Sequence, residues 1–143
     1  MNQKTLDLKD SILKNVEGTP FAKFLPVGNG DPTYELITVD GKEVRYFTVQ
    51  LFFESSMKAD IQAVEYFINH PEFSDDPRSY SMDEEHDFRT YIMSYGDVWL
   101  EIKAFVGGRG HTQRAKLSQM LEVGHADHPS ESILDAIARI KAN

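Results

Sequence analysis

Cysteine is absent from the 143-residue chain. Disulfide staples, thiol nucleophiles and cysteine-ligated zinc or iron–sulfur centres are thereby excluded, and the composition suits a cytoplasmic protein. Tryptophan occurs once, as Trp99. No run approaches the ~18 consecutive apolar residues of a membrane span. The stretch from Met1 to Asp7 lacks the apolar centre of a signal peptide, so nothing in it points to export. Positive charge is in deficit: 15 lysines and arginines stand against 23 aspartates and glutamates, a formal net charge of −8. That balance disfavours nucleic-acid phosphates and anionic lipid, and favours a basic surface on a partner. Walker, Gly-x-Ser-x-Gly and His-Glu-x-x-His signatures are missing, as are internal repeats and any linker that would divide the chain. Catalytic groups can still assemble from distant positions, so the reading leans away from an enzyme without excluding one.

What is present reads as one folded domain over residues 1–143. Hydrophobic residues make up 41% and charged residues 27%, ordinary values for a globular chain. Residues 5–16 predict a first helix, with Leu8, Ile12, Leu13 and Val16 on one side. Residues 17–33, rich in proline and glycine, predict an irregular arm pinned to the core by Phe21, Phe24, Leu25 and Val27. Asp40-Gly41 between two β-rich flanks predicts a tight hairpin of residues 34–39 and 43–53, because a two-residue turn of this kind needs positive φ at both positions. Phe47, Val49, Leu51 and Phe53 form its core face.

A serine cap at Ser55 or Ser56, with Met57, Ile61, Val64, Phe67 and Ile68 at helical intervals, predicts a helix to about residue 69. A loop follows to Tyr80. Ser81 to Glu84 fits a capping box. Residues 81–95 therefore form either one helix or an acidic turn followed by a strand over 89–95, which would pair with the next strand through Gly96-Asp97. Alternation over 98–106 predicts a strand. Residues 112–123 and 129–142 predict two more helices. The expected architecture is α+β: an antiparallel β-meander of three to four strands packed against four to five helices. The expected core comprises Leu8, Ile12, Phe47, Val49, Leu51, Phe53, Ile61, Val64, Ile68, Ile92, Leu100, Ile102, Leu117, Leu121, Ile133 and Ile137.

Three stretches carry chemistry. Asp75, Asp76, Asp83, Glu84, Glu85 and Asp87, with Tyr80 among them, gather negative charge in one stretch and suit a basic protein surface. Gly108, Arg109, Gly110, His111 and Arg114 lie where a strand is expected to pass into a helix. Glycines allow close backbone approach, and a helix N-terminus favours an anion. Gly108-Arg109-Gly110 before that helix resembles the pyrophosphate loop of N-acetyltransferases over about ten residues. The strand which that family places after the helix has no counterpart, since residues 122–130 are polar and turn-rich. His125, Asp127 and His128, with His111, are zinc-type ligands, but no further ligand is placed and the stretch reads as a polar turn. No metal or cofactor is assigned. The favoured reading is a small acidic cytoplasmic protein that binds a macromolecular partner, as an inhibitor, immunity-type or accessory factor. A ligand-binding or transferase-like domain built on the glycine loop is the alternative, and a structural subunit of a larger assembly the third.

Overall fold

A computed structural model of the chain describes residues 16–143. The helix expected over residues 5–16, with core positions Leu8 and Ile12, lies outside the described residues except for Val16, which is buried. The described chain is chiefly β. Strands β1 (Thr19–Phe24), β2 (Tyr34–Val39), β3 (Lys42–Glu54), β4 (Ala63–Asn69), β5 (Arg78–Ser81), β6 (Thr90–Ser94), β7 (Trp99–Val106) and β8 (Arg109–Lys116) precede two helices, α1 (Leu117–Gly124) and α2 (Glu131–Ala142). The expected three- or four-stranded meander under four or five helices is therefore corrected: eight strands form two antiparallel four-stranded sheets, with two α-helices among the described residues.

The first sheet is built on β3. Its register pairs Thr19 to Phe24 with Glu54 to Val49, Tyr34 to Val39 with Phe47 to Lys42, and Phe47 to Leu51 with Ser94 to Thr90. Because Val49 to Leu51 pair with both β1 and β6, those strands lie on opposite edges. Phe47 likewise pairs with both β2 and β6, so β1 and β2 share one edge of β3 in succession. The turn at Asp40-Gly41 has φ of 50° and 79°, as a two-residue hairpin requires. The second sheet runs β5-β4-β7-β8.

Three local expectations fail and a fourth holds only in part. The helix expected to residue 69 is a single 3-10 turn, Lys58–Asp60, followed by β4. Its apolar residues fit both periods; the β-branched and aromatic composition of Ala63–Asn69 and two waiting neighbours, β5 and β7, decide for the strand. The irregular arm contains β1, held by six residues of β3. Of the two readings of residues 81–95, the strand is observed, but β6 pairs with β3 rather than with the next strand. The helix expected from residue 112 begins at Leu117, because Gly107-Gly108 turn the chain back on β7.

Val64, Tyr66 and Ile68 of β4 and Leu100, Ile102 and Ala104 of β7 join Phe47, Val49, Leu51 and Phe53 of β3 in one continuous core. Every described residue of the expected core is buried. Helix α1 adds Leu117, Met120 and Leu121, and lies so close to β1 that a Cβ on Gly124 would sit 1.9 Å from the Ala22 carbonyl oxygen. Its first turn is held by Asp97, which accepts from the Ser118 amide at 2.9 Å and hydroxyl at 2.6 Å. Ser130 caps α2 by accepting from the Ile133 amide, and Ile133, Ala136, Ile137 and Ile140 are its buried stripe. Tyr66, fully buried, donates to the Phe88 carbonyl at 2.9 Å and so fixes the β5–β6 connection to the second sheet.

Candidate functional site

Strand β5 is an edge of the second sheet, four residues long. Asp75 and Asp76 precede it, and a 3-10 turn, Glu84–His86, follows it. At ~3.3 Å per residue, the strand alone spans about 10 Å, and the two acidic groups lie beyond its opposite ends. The acids expected in one stretch are thus two clusters at opposite ends of an edge strand. Between them Tyr80 is 61% exposed, and Met82, which the sequence reading did not single out, is 79% exposed. The signal for Met82 was its parity with Arg78 and Tyr80 along the chain, legible only once β5 is known to be extended.

The carboxylates are not equivalent. Asp83 is spent on the His86 Nδ1 at 2.8 Å. Asp87 adopts a left-handed φ of 52°, Phe88 follows at 55°, and the Asp87 carbonyl accepts from the Phe53 amide at 2.8 Å. Asp87 is therefore a turn residue first. Together with burial, which is the larger effect, its charge pushes the Tyr66 phenol upward, so Tyr66 stays protonated as a donor. Glu65, 7% exposed, is held by Arg78 at 3.3 Å, and beside the Tyr80 hydroxyl it raises that phenol above its ordinary value. Glu72 accepts from Tyr95 and pushes it up to about 12. Asp75, Asp76, Glu84 and Glu85 are exposed and make no ion pair among the described residues.

The glycine loop is corrected more deeply. Gly107 and Gly108, at φ of 59° and 78°, are the two central residues of a hairpin that sets Val106 opposite Arg109. Gly108, Arg109, Gly110, His111 and Arg114 therefore do not open a helix. Arg109 and His111 point to one side of β8, and Gly110 and Arg114 to the other. The helix N-terminus lies beyond Lys116 and already holds the Asp97 carboxylate. The geometry that favoured an anion there is absent from this loop. His111 keeps a buried Nε2 without a hydrogen-bond partner among the described residues, beside an open groove of about 310 Å³ lined by Glu17, Phe53 and Gln113.

His125 turns inward: its Nε2 accepts from the Phe24 amide at 3.0 Å, and its ring stacks on Phe24. Burial, then the neighbouring Lys23 charge, lowers its pKa. Asp127 and His128 stand in solvent 3.8 Å apart, and no three His, Asp or Glu side chains among the described residues are placed to hold a metal. A larger groove, about 490 Å³, runs past Thr19, Lys23, Glu54 and Ser55. The Ser55 hydroxyl donates to the Glu17 carbonyl and accepts from the Met57 amide at 3.0 Å, so it is engaged in holding the backbone. No described helix is long and apolar enough to cross a membrane. Comparison with protein-family models, with curated proteins and with solved structures gives no match.

Proposed function

We propose that this chain is a non-catalytic binding protein that docks a basic protein surface along the β5 margin. Tyr80 and Met82 are the apolar anchors; Asp75, Asp76, Glu84 and Glu85 are the charged bracket. The observation that carries this reading is the exposure of Tyr80 (61%), on a short edge strand, and of Met82 (79%), just past its end, between unpaired carboxylates. Protein interfaces combine an aromatic or methionine centre with a charged rim, and rim charges steer the encounter and set its salt dependence. A cysteine-free chain suits a partner met in a reducing compartment such as the cytoplasm. An inhibitor, immunity-type or accessory role fits this surface.

The test is affinity capture of the partner followed by titration with variants. Asp75→Lys with Asp76→Lys, and separately Glu84→Lys with Glu85→Lys, should each slow association and weaken binding about tenfold, or ~1.4 kcal/mol. Tyr80→Ala should speed dissociation. Asp87 is left alone, because its left-handed backbone would confound the result. Equal affinity in all three variants would sink the reading.

A further inference from the structure

The outer face of the second sheet carries a charge opposite to that of the molecule. Residues directly opposite one another share a face. The register therefore places Trp99, Glu101, Lys103 and Phe105 of β7 beside Lys116, Arg114 and Thr112 of β8 on one side and beside Phe67 and Glu65 of β4 on the other. Arg78 and Tyr80 of β5 complete it. Four bases meet two acids on this face, in a chain with 15 bases against 23 acids.

The bases are held in place by rings. Arg114 and Lys116 lie 4.9 and 5.3 Å from the Trp99 ring centroid, Arg78 lies 5.0 Å from Phe67, and Lys103 lies 6.0 Å from Phe105. The Lys103 stem occupies the space that a side chain at Gly110 would fill. Arg78 is paired with Glu65, but Lys103, Arg114 and Lys116 make no ion pair among the described residues. Trp99 remains 41% exposed beneath its two cations. Cations fixed over rings have already lost rotamer freedom, so less is lost when a ligand arrives.

We propose that this face is a second docking surface, for an acidic polypeptide segment whose carboxylates are received by Arg114, Lys116 and Lys103 over the Trp99 and Phe105 rings. Arg114 and Lys116 are two residues apart on one strand, about 7 Å, which matches carboxylates at alternate positions of an extended segment. A nucleic-acid strand fits less well. The cations cover the ring faces on which bases would stack. The bases and rings of β7 and β8 that carry this inference are distinct from the acids of the β5 margin, although Tyr80 borders both surfaces.

The test uses the full chain with fluorescein-labelled polyglutamate and, in parallel, an oligothymidylate. Anisotropy is followed at about 0.05 M and about 0.5 M salt, which shortens the screening length from roughly 14 to 4 Å. Trp99, the single tryptophan, reports contact through its emission. Polyglutamate should bind saturably at low salt and shift Trp99 emission. Arg114→Glu with Lys116→Glu should weaken it at least about tenfold. Reversal of the distant Lys42 and Lys58, and of Glu84 and Glu85, should leave it within about twofold. Absence of saturable binding, wild-type affinity in the Arg114/Lys116 variant, or equal loss on reversing Lys42 and Lys58 would each overturn the proposal. Tighter binding of oligothymidylate would also overturn it, in favour of a nucleic-acid surface. Should the double variant not fold, Arg114→Gln is measured instead, and unchanged affinity there refutes the proposal.

Discussion

Gly124→Ala sets helix propensity against tertiary packing, with opposite signs. Gly124 ends α1, where alanine should add about 0.5–1 kcal/mol of helix stability. The structure demands the reverse. A Cβ there would lie 1.9 Å from the Ala22 carbonyl oxygen and 2.8 Å from its carbon. Both are β1 backbone, so no rotamer change relieves the contact. The end of α1 must lift about 1 Å or more, an overpacking that costs about 1–3 kcal/mol. Lifting also stretches the bond from the Phe24 amide to the His125 Nε2, now 3.0 Å, worth about 1 kcal/mol. After the propensity gain, net destabilisation is about 1–3.5 kcal/mol. With an unfolding entropy near 2 cal/mol/K per residue, that lowers Tm by about 3–12 °C. Thermal and urea melts followed by far-UV circular dichroism read it directly. Gly28→Ala is the control, since its Cβ would meet nothing within 4 Å. A Gly124→Ala protein as stable as wild type, or more so, would refute the claim that α1 rests backbone-to-backbone on β1.

Two further predictions concern buried polar groups. Tyr66→Phe keeps the ring but leaves the Phe88 carbonyl without its donor, so stability should fall by about 1–3 kcal/mol in urea titrations; an unchanged midpoint would show that the bond contributes nothing. The folded pKa of His125 lies below its unfolded value of ~6.5, so the unfolded chain takes up the proton first and stability rises with pH in that window. His125 therefore contributes fully above the unfolded value, and its contribution is lost as pH falls through the folded one. Melts between about pH 7.5 and pH 5 should show this slope, and His125→Gln should flatten it; identical slopes would remove His125 as the cause.

Much of the core could be read before any coordinates. Phe47, Val49, Leu51 and Phe53 alternate on β3 as period two requires, and all are buried. The Asp40-Gly41 hairpin followed from two residues that tolerate positive φ. The site was less legible. Tyr80 and the flanking acids were singled out by charge, but residues between them looked like loop, and only pairing with β4 showed an exposed edge strand. Trp99, Lys103 and Phe105 were recognisable as one mixed strand face. That Arg114 and Lys116 lie over the same ring was hidden, because the stretch holding them has almost no apolar alternation and read as helix.

By itself, then, the sequence determined many of the side chains that leave water, where the Asp-Gly and Gly-Gly pairs allow the chain to bend, and that no disulfide or thiol chemistry is available. Those are properties of single residues and their near neighbours. The sequence reading missed buried Tyr66 and Phe88 and placed the exposed Val27 in the core. The tertiary structure alone decided that Ala63–Asn69 is extended, that Arg109–Lys116 is a strand, and that β6 pairs with β3. The reason is that a strand's hydrogen bonds are made to residues distant in the chain. A segment whose apolar residues suit both periods takes the form its neighbours can pair with, and a polar segment becomes a strand when a turn delivers it to an open edge.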